Sequence, residues 1–301
     1  MRIQRKGTDS ESIRRRRPSL LVLLLVLWAI RAWPAQDITP TRDFNAVKAA
    51  ALDLAKDLGA ANILLVFDVD NTLLAMNQDL GSDQWYRWQS GLPKESPAKI
   101  ADLLAAQGLM FSLSGMHPPQ RDLPEIIRDL QNAGFTTLVL TSRGTEFRSA
   151  TERELSRRYD LRKSALSPPD GYGGAFLPLD PLAPQPAAPD PANAAPAVPV
   201  SYQNGVFMTA GQNKGVMLRC LLAKTGRSFK MVLMVDDGDR NLTNVQAALR
   251  EWAASQKTPL GFRGFLYKAE DGNIGRFEES DKTAVAVQYE KLRAVLLEIF
   301  R

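Results

Sequence analysis

Residues 67–74 read FDVDNTLL and follow the run NILLV at 62–66. The stretch through Phe67 has the length and apolar composition of a strand buried on both faces. Two carboxylates, Asp68 and Asp70, stand at its end. Acids one residue apart repel each other and cost desolvation when buried. Either they face water at a turn, or something positive belongs between them.

Two other apolar runs end in the same manner. TTLVLTSRG (136–144) runs into Thr141 and Ser142, and FKMVLMVDDGDRN (229–241) ends in the paired acids Asp236 and Asp237. Between them, GVFMTAGQNKGVMLRCLLAKTG (205–226) reads as a short strand, a glycine turn and a helix opening at Lys214. Helical periodicity marks 43–58, which stops at Gly59, a short helix opened by Ser96-Pro97 and closed by Gly108, then 123–133, 145–159, 239–255 and 282–299. A further strand lies near GFLYK at 264–268. Strands alternating with helices predict an α/β fold with a mostly parallel sheet.

Composition narrows the function. The chain has 301 residues, 45% hydrophobic and 24% charged, which suits a globular protein with a sizeable core. Its formal charge is +5, yet residues 1–35 carry eight bases and two acids, and the remaining 30 bases and 31 acids leave 36–301 at −1. The basicity belongs to the leader, so a nucleic-acid footprint is not expected. That leader, RRRRPSLLVLLLVLWAI at 14–30, has the basic and apolar regions of an export signal, the latter short for a membrane span. Cleavage is expected after Ala32 or Ala35, with an uncleaved signal anchor in the inner membrane as the alternative, giving a periplasmic or secreted location. Cys220 is the only cysteine, which excludes a disulfide and a cysteine-based metal site. Residues 178–200 hold eight of the 19 prolines and little that is large and apolar, and predict an extended, mobile insertion in the 36–301 domain.

In open α/β sheets the residues just past the carboxyl ends of the strands line the ligand crevice. If the strands are neighbours, four carboxylates (Asp68, Asp70, Asp236, Asp237) meet Lys214, Thr141 and Ser142. Such a cluster is electrostatically unreasonable alone and reasonable around Mg²⁺ and a phosphate, with the ammonium and free N–H groups at the helix start favouring the anion. Each piece has a plainer reading: DVDNT as a polar turn, TSR as a helix cap, Lys214 as a solvated charge, VDDGD as a loop. Their joint occurrence in this order is what favours a site.

These motifs resemble those of the haloacid-dehalogenase (HAD) superfamily. Asp68, Asp70 and Thr72 match its DxDxT motif, Thr141 the second motif, Lys214 the third, and Asp236 with Asp237 the acidic fourth; the likeness covers most of 43–270. GSDQW and TAGQNKG further resemble a secreted bacterial branch with no assigned function. The resemblance implies a HAD-like Rossmannoid fold and a phosphomonoester hydrolase. Asp68 would be the nucleophile, forming an aspartyl-phosphate, and Asp70 the general acid and base, its pKa raised by neighbouring carboxylates. Thr141, Ser142 and Lys214 would hold phosphoryl oxygens. Mg²⁺ would bind Asp68, the main-chain carbonyl of Asp70, and Asp236 or Asp237. The acid at position 70 favours a phosphatase over a dehalogenase or an ion pump. The rivals are a catalytically silent HAD-fold binding or scaffold protein of the envelope, and a phosphotransferase. The partner expected is a small phosphorylated substrate.

Superfamily caps are inserted after the first motif or between the second and third. Here the first slot, about 75–118, holds Trp85, Tyr86, Trp88 and the only histidine, His117. Trp85 and Trp88 are the candidate substrate flap, stacking on a leaving group; the plainer reading of their helical spacing is that they pack the flap onto the core. His117 reads as a loop residue.

Overall fold

The computed structural model describes residues 37–167, 173–183 and 198–300. In chain order it contains β1 (Ile38–Thr41), α1 (Phe44–Leu58), β2 (Ile63–Phe67), β3 (Ala75–Met76), α2 (Asp83–Gly91), α3 (Leu103–Leu113), β4 (Met116–His117), α4 (Leu123–Asn132), β5 (Thr136–Thr141), α5 (Arg148–Ser156), β6 (Gly174–Phe176), β7 (Val200–Gln203), β8 (Val206–Met208), α6 (Lys214–Thr225), β9 (Met231–Asp236), α7 (Asp239–Gln256), β10 (Gly261–Tyr267), α8 (Asp271–Glu279) and α9 (Thr283–Ile299). The leader expected at 1–35 lies outside the described residues. Among those described, no helix is long and apolar enough to cross a membrane.

Every residue of β2 is buried, because the strand sits inside an eight-stranded sheet with helices on both faces. The order is β1-β10-β9-β2-β5-β8-β7-β6, parallel from β1 through β8 and antiparallel at β7 and β6. This is a mixed α/β, Rossmann-like fold. Side chains alternate across the sheet as strand geometry requires. Ile63, Leu65 and Phe67 join the core that includes Phe44, Val47, Ile126 and Leu130 of α1 and α4. Leu64 and Val66 join the opposite core, with Leu218 and Leu221 of α6 and Leu242 and Val245 of α7. Full burial of each such side chain contributes about 1.5–3 kcal/mol, so the two layers hold β2 firmly.

Two features of the sheet position the crevice. The strands carrying Asp236 and Thr141 flank β2 directly, with Phe67 opposite Val235 on one side and Val139 on the other. Because all three run parallel, their carboxyl ends meet on one edge. The Asp68 N–H continues the ladder by donating to the Val235 carbonyl at 3.0 Å, which sets Asp68 beside Asp236.

The chain then leaves the sheet to build a cap. β3 and β4 pair antiparallel, and between them the chain makes α2 and α3. α2 opens at Ser82, whose hydroxyl accepts from the Trp85 N–H. The expected helix from Ser96 to Gly108 is displaced: α3 is capped by Asp102 and runs to Leu113. Gly108 lies inside it because a Cβ there would sit 2.5 Å from the Phe147 ring; the glycine serves close packing, not termination. Among the elements absent from the sequence reading are β1 and α8, and the expected helix at 145–159 begins as a 3₁₀ turn at Thr145–Phe147 before α5.

The insertion expected at 178–200 is described only at its two ends, 178–183 and 198–200. Residues 184–197 lie outside the described residues. At its borders, Val200 is buried in β7, and Asp180 grips the buried Arg219 of α6 through two bonds, Nε to Oδ1 at 2.9 Å and Nη2 to Oδ2 at 2.6 Å.

Candidate active site

The acids at the strand ends are drawn together by one lysine. Lys214 Nζ donates to Asp68 Oδ1 at 2.6 Å and to Asp236 Oδ2 at 2.7 Å, and all three side chains are almost fully buried. Its placement follows from the loop before α6. Thr209 N–H donates to the Thr141 carbonyl, Gly211 N–H to that of Ser142 and Ala210 N–H to that of Arg143, zipping the 209–211 loop to the turn after β5. Ala210 (φ 51°) and Gly211 (φ 74°) turn the chain through the left-handed region. Close approach of α6 to α7 then fixes the helix start, since a Cβ at Gly215 would lie 2.2 Å from the Asn244 carbonyl oxygen.

Asp236 is saturated on its other oxygen, which accepts from the Gly238 N–H and the Asn241 side-chain amide, both at 2.8 Å. Asp237 is mostly buried and accepts from Asn71 Nδ2 at 3.3 Å and from Arg87 Nη2 at 3.0 Å. One oxygen each of Asp68, Asp236 and Asp237 lies within 4.8 Å of the others, a spacing able to hold a metal ion. An all-carboxylate donor set suits a hard cation such as Mg²⁺. The charge count agrees: Asp68, Asp70, Asp83, Asp236 and Asp237 face Lys214, Arg143 and Arg87, an excess of two negative charges.

That excess shows in the acids. Burial pushes Asp68 well above the usual carboxylate range; Lys214 opposes the shift, and Asp236, Asp237 and Asp70 reinforce it. Burial also disfavours the Lys214 ammonium, but its two carboxylates more than offset this and hold it above the usual lysine value. Both members of the pair are thus shifted upward, and we assign the charge deficit to the acid: the lysine touches two carboxylates, whereas Asp68 shares its one cation. Burial, then Asp83 and Asp236, raise Asp237 to about 7, against the pull of Arg87 and the Asn71 amide.

Asp70 departs from expectation. Its neighbours were to be carboxylates; instead Arg143 donates Nη2 to Oδ1 at 2.7 Å and Nε to Oδ2 at 3.0 Å, a bidentate clamp. Arg143 is itself fixed by Thr151 Oγ1 at 2.9 Å and stacks on the Phe111 ring at 3.8 Å. The Asp70 side chain is therefore not part of the three-carboxylate group, leaving its main-chain carbonyl as the atom implied for a metal. Thr141 is fully buried, and its hydroxyl oxygen accepts the Arg143 N–H at 3.2 Å, a bond that does not use the hydroxyl proton. Ser142 is exposed at the same turn. Free N–H groups were expected at the start of α6, yet Asn213 Oδ1 accepts from Gly215 and Val216. The anion-binding capacity there rests on Lys214 alone.

The aromatic flap is also placed differently. Trp85 is completely buried against Tyr289 of α9, ring centroids 6.3 Å apart, and Trp88 lies edge-on to Phe277 of α8 at 6.4 Å. They form the cap's own core, with Leu80, Ala106 and Val285. What α2 presents to the crevice is its other face: Asp83 and Arg87, one turn apart, with Arg87 Nη2 bridging Asp83 Oδ2 at 2.5 Å and Asp237. His117 bonds Asn77 at 2.8 Å at the base of the cap. Arg143, Arg87, Asn71 and Asn241 were missed from sequence. The Asp83–Arg87 spacing of four on a helix was the legible signal for one of them, and the charge directly after Thr141-Ser142 for another.

Fold and site together define a Rossmann-like α/β protein whose capped crevice combines a buried lysine with a cluster of carboxylates. The chain belongs to the family described as Protein of unknown function (DUF2608), whose profile matches residues 40–299. No curated protein matches it.

Proposed function

We propose that this protein is a HAD-like, Mg²⁺-dependent phosphomonoester hydrolase working through a phosphorylated Asp68. The observation that supports it best is the buried Asp68–Lys214–Asp236 bridge at the ends of adjacent strands, beside Asp237. An aspartate fixed by a strand end and bonded by Lys214 has little freedom left to lose on attack, and covalent capture splits one hard displacement into two steps. Lys214 neutralises the phosphoryl oxygens beside Asp68, and the Thr141 hydroxyl proton is available to another of them. Arg143 aims the Asp70 carboxylate, an arrangement suited to accepting the proton of the attacking water; protonating the leaving oxygen requires that clamp to open. Asp68, Asp236 and Asp237 are the side chains that fit a magnesium ion, which when bound supplies charge neutralisation in the transition state.

The test is a phosphomonoester panel assayed with Mg²⁺ and with chelator. Metal-dependent release of phosphate supports the reading, and diversion of the product into added alcohols would instead identify a phosphotransferase. No hydrolysis of any member with Mg²⁺ present counts against it and favours a binding protein. From residues 1–35 we further propose export, tested by N-terminal sequencing of protein from the envelope fraction; a start near residues 33–36 is expected, and an intact leader would establish an anchor.

A further inference from the structure

Arg87 is the charged group that the cap extends onto the acidic cluster, and its chemistry suggests two alternative partners. The helix that carries it is held in rotation by Trp85, which is locked against Tyr289. The Asp83–Arg87 face therefore stays turned toward Asp237. Only Nη2 is engaged; Nε and Nη1, with three of the five N–H groups, bond to none of the described residues. The side chain is about half exposed, 52%, so it has room to move. Its partner oxygen on Asp237 belongs to a carboxylate that can also hold a metal. A divalent cation on that carboxylate repels the guanidinium, which, unlike the fully buried Lys214 ammonium, has open space into which it can withdraw.

We propose that Arg87 is a resident counter-ion of the metal site that a divalent cation displaces, and that the displaced guanidinium then binds the phosphoryl group from the cap side. The proposal rests on the reading of Asp68, Asp236 and Asp237 as a metal site. It makes one residue oppose metal and favour anion. Arginine suits the second role, since its planar fork matches phosphate oxygens. Tethering by Asp83 keeps the freed group over the crevice.

Arg87→Gln separates the two roles on the full-length protein. Isothermal titration with MgCl₂ should give a Kd lower than wild type by roughly five- to tenfold, the scale of a lost single-charge competitor. Titration of orthophosphate into Mg²⁺-saturated protein should give a Kd higher by roughly tenfold. Opposite signs in one variant are the signature, because a merely structural role would weaken both. Arg87→Lys should fall between, keeping the charge without the fork. Unchanged Mg²⁺ affinity in Arg87→Gln overturns the proposal while leaving the metal site standing. Absence of Mg²⁺ binding in the wild type overturns both the proposal and the metal site beneath it.

Discussion

Removing Asp180 should destabilise the protein although it lies in the proline-rich border. The Arg219 side chain on α6 is 5% exposed, and Asp180 supplies two of its bonds, at 2.9 and 2.6 Å. Its remaining partners are Glu251, whose side chain is 65% exposed, at 2.8 Å and a long contact to the Ala248 carbonyl at 3.5 Å. Stripping one partner from a buried ion pair costs about 3–5 kcal/mol when nothing replaces it. Asp180 is partly exposed and Glu251 stays, so the loss expected for Asp180→Ala is about 2–3 kcal/mol. For a domain of this size that lowers Tm by about 5–10 °C. Deleting 179–200 should lower Tm at least as far, since it removes Asp180 and also takes the buried Val200 from β7. Replacing only 184–197 with about half as many Gly-Ser residues should shift stability by about 0.6 kcal/mol or less. Differential scanning calorimetry of the three variants decides the matter. An Asp180→Ala protein melting within a degree of wild type, or a linker variant melting as low as the full deletion, would refute the reasoning.

Three further outcomes follow from the site and cap. In chelator, the metal-free protein should lose stability as pH rises from 5 to 8: the folded pKa of Asp237 is raised to about 7 from an ordinary 3.8, so its stabilising contribution is complete below the unfolded value and is lost on the way up to about 7. This single group accounts for about 3 kcal/mol over that window, Asp68 and Asp83 are raised in the same direction, and a flat or rising melting curve would contradict the assignment. Trp85→Ala should cost about 3 kcal/mol or more by opening the cap core and should lower kcat/KM for aryl and alkyl phosphates alike, whereas loss confined to aryl substrates would restore the stacking role. Arg143→Met should lower kcat and change its pH profile while leaving Mg²⁺ affinity intact, and Arg143→Lys should not restore it because lysine lacks the fork; full rescue by lysine would argue that only charge matters.

The strands and the polar residues at their ends were legible because burial on both faces leaves a continuous apolar run, and a polar residue that ends such a run is conspicuous. Lys214 was legible from its place at a helix start. Arg143 was not, because its role depends on a long-range partner 73 positions away and on the cap ring it stacks on. Trp85 and Trp88 illustrate a different limit. Their spacing predicts a helix face but does not say whether that face meets core or substrate; the partners that bury Trp85 and flank Trp88 lie in α8 and α9, far along the chain. Gly108 misled for a related reason, since a glycine required by the Phe147 ring looks the same in sequence as one that ends a helix. The Asp180–Arg219 pair could not be seen either, because the composition of 178–200 describes the segment's average and not the one residue that docks.

The most direct test of the central claim is to trap the intermediate. Protein turning over a phosphomonoester with Mg²⁺ is quenched with borohydride, which reduces an acyl phosphate to the alcohol, and the peptide spanning 63–76 is mapped by mass spectrometry. Homoserine is expected at position 68 alone, and none in the Asp68→Asn protein, whose hydrolysis should fall at least about a hundredfold. Turnover with an unmodified Asp68, or with Asp68→Asn hydrolysing at near wild-type rate, would contradict the claim.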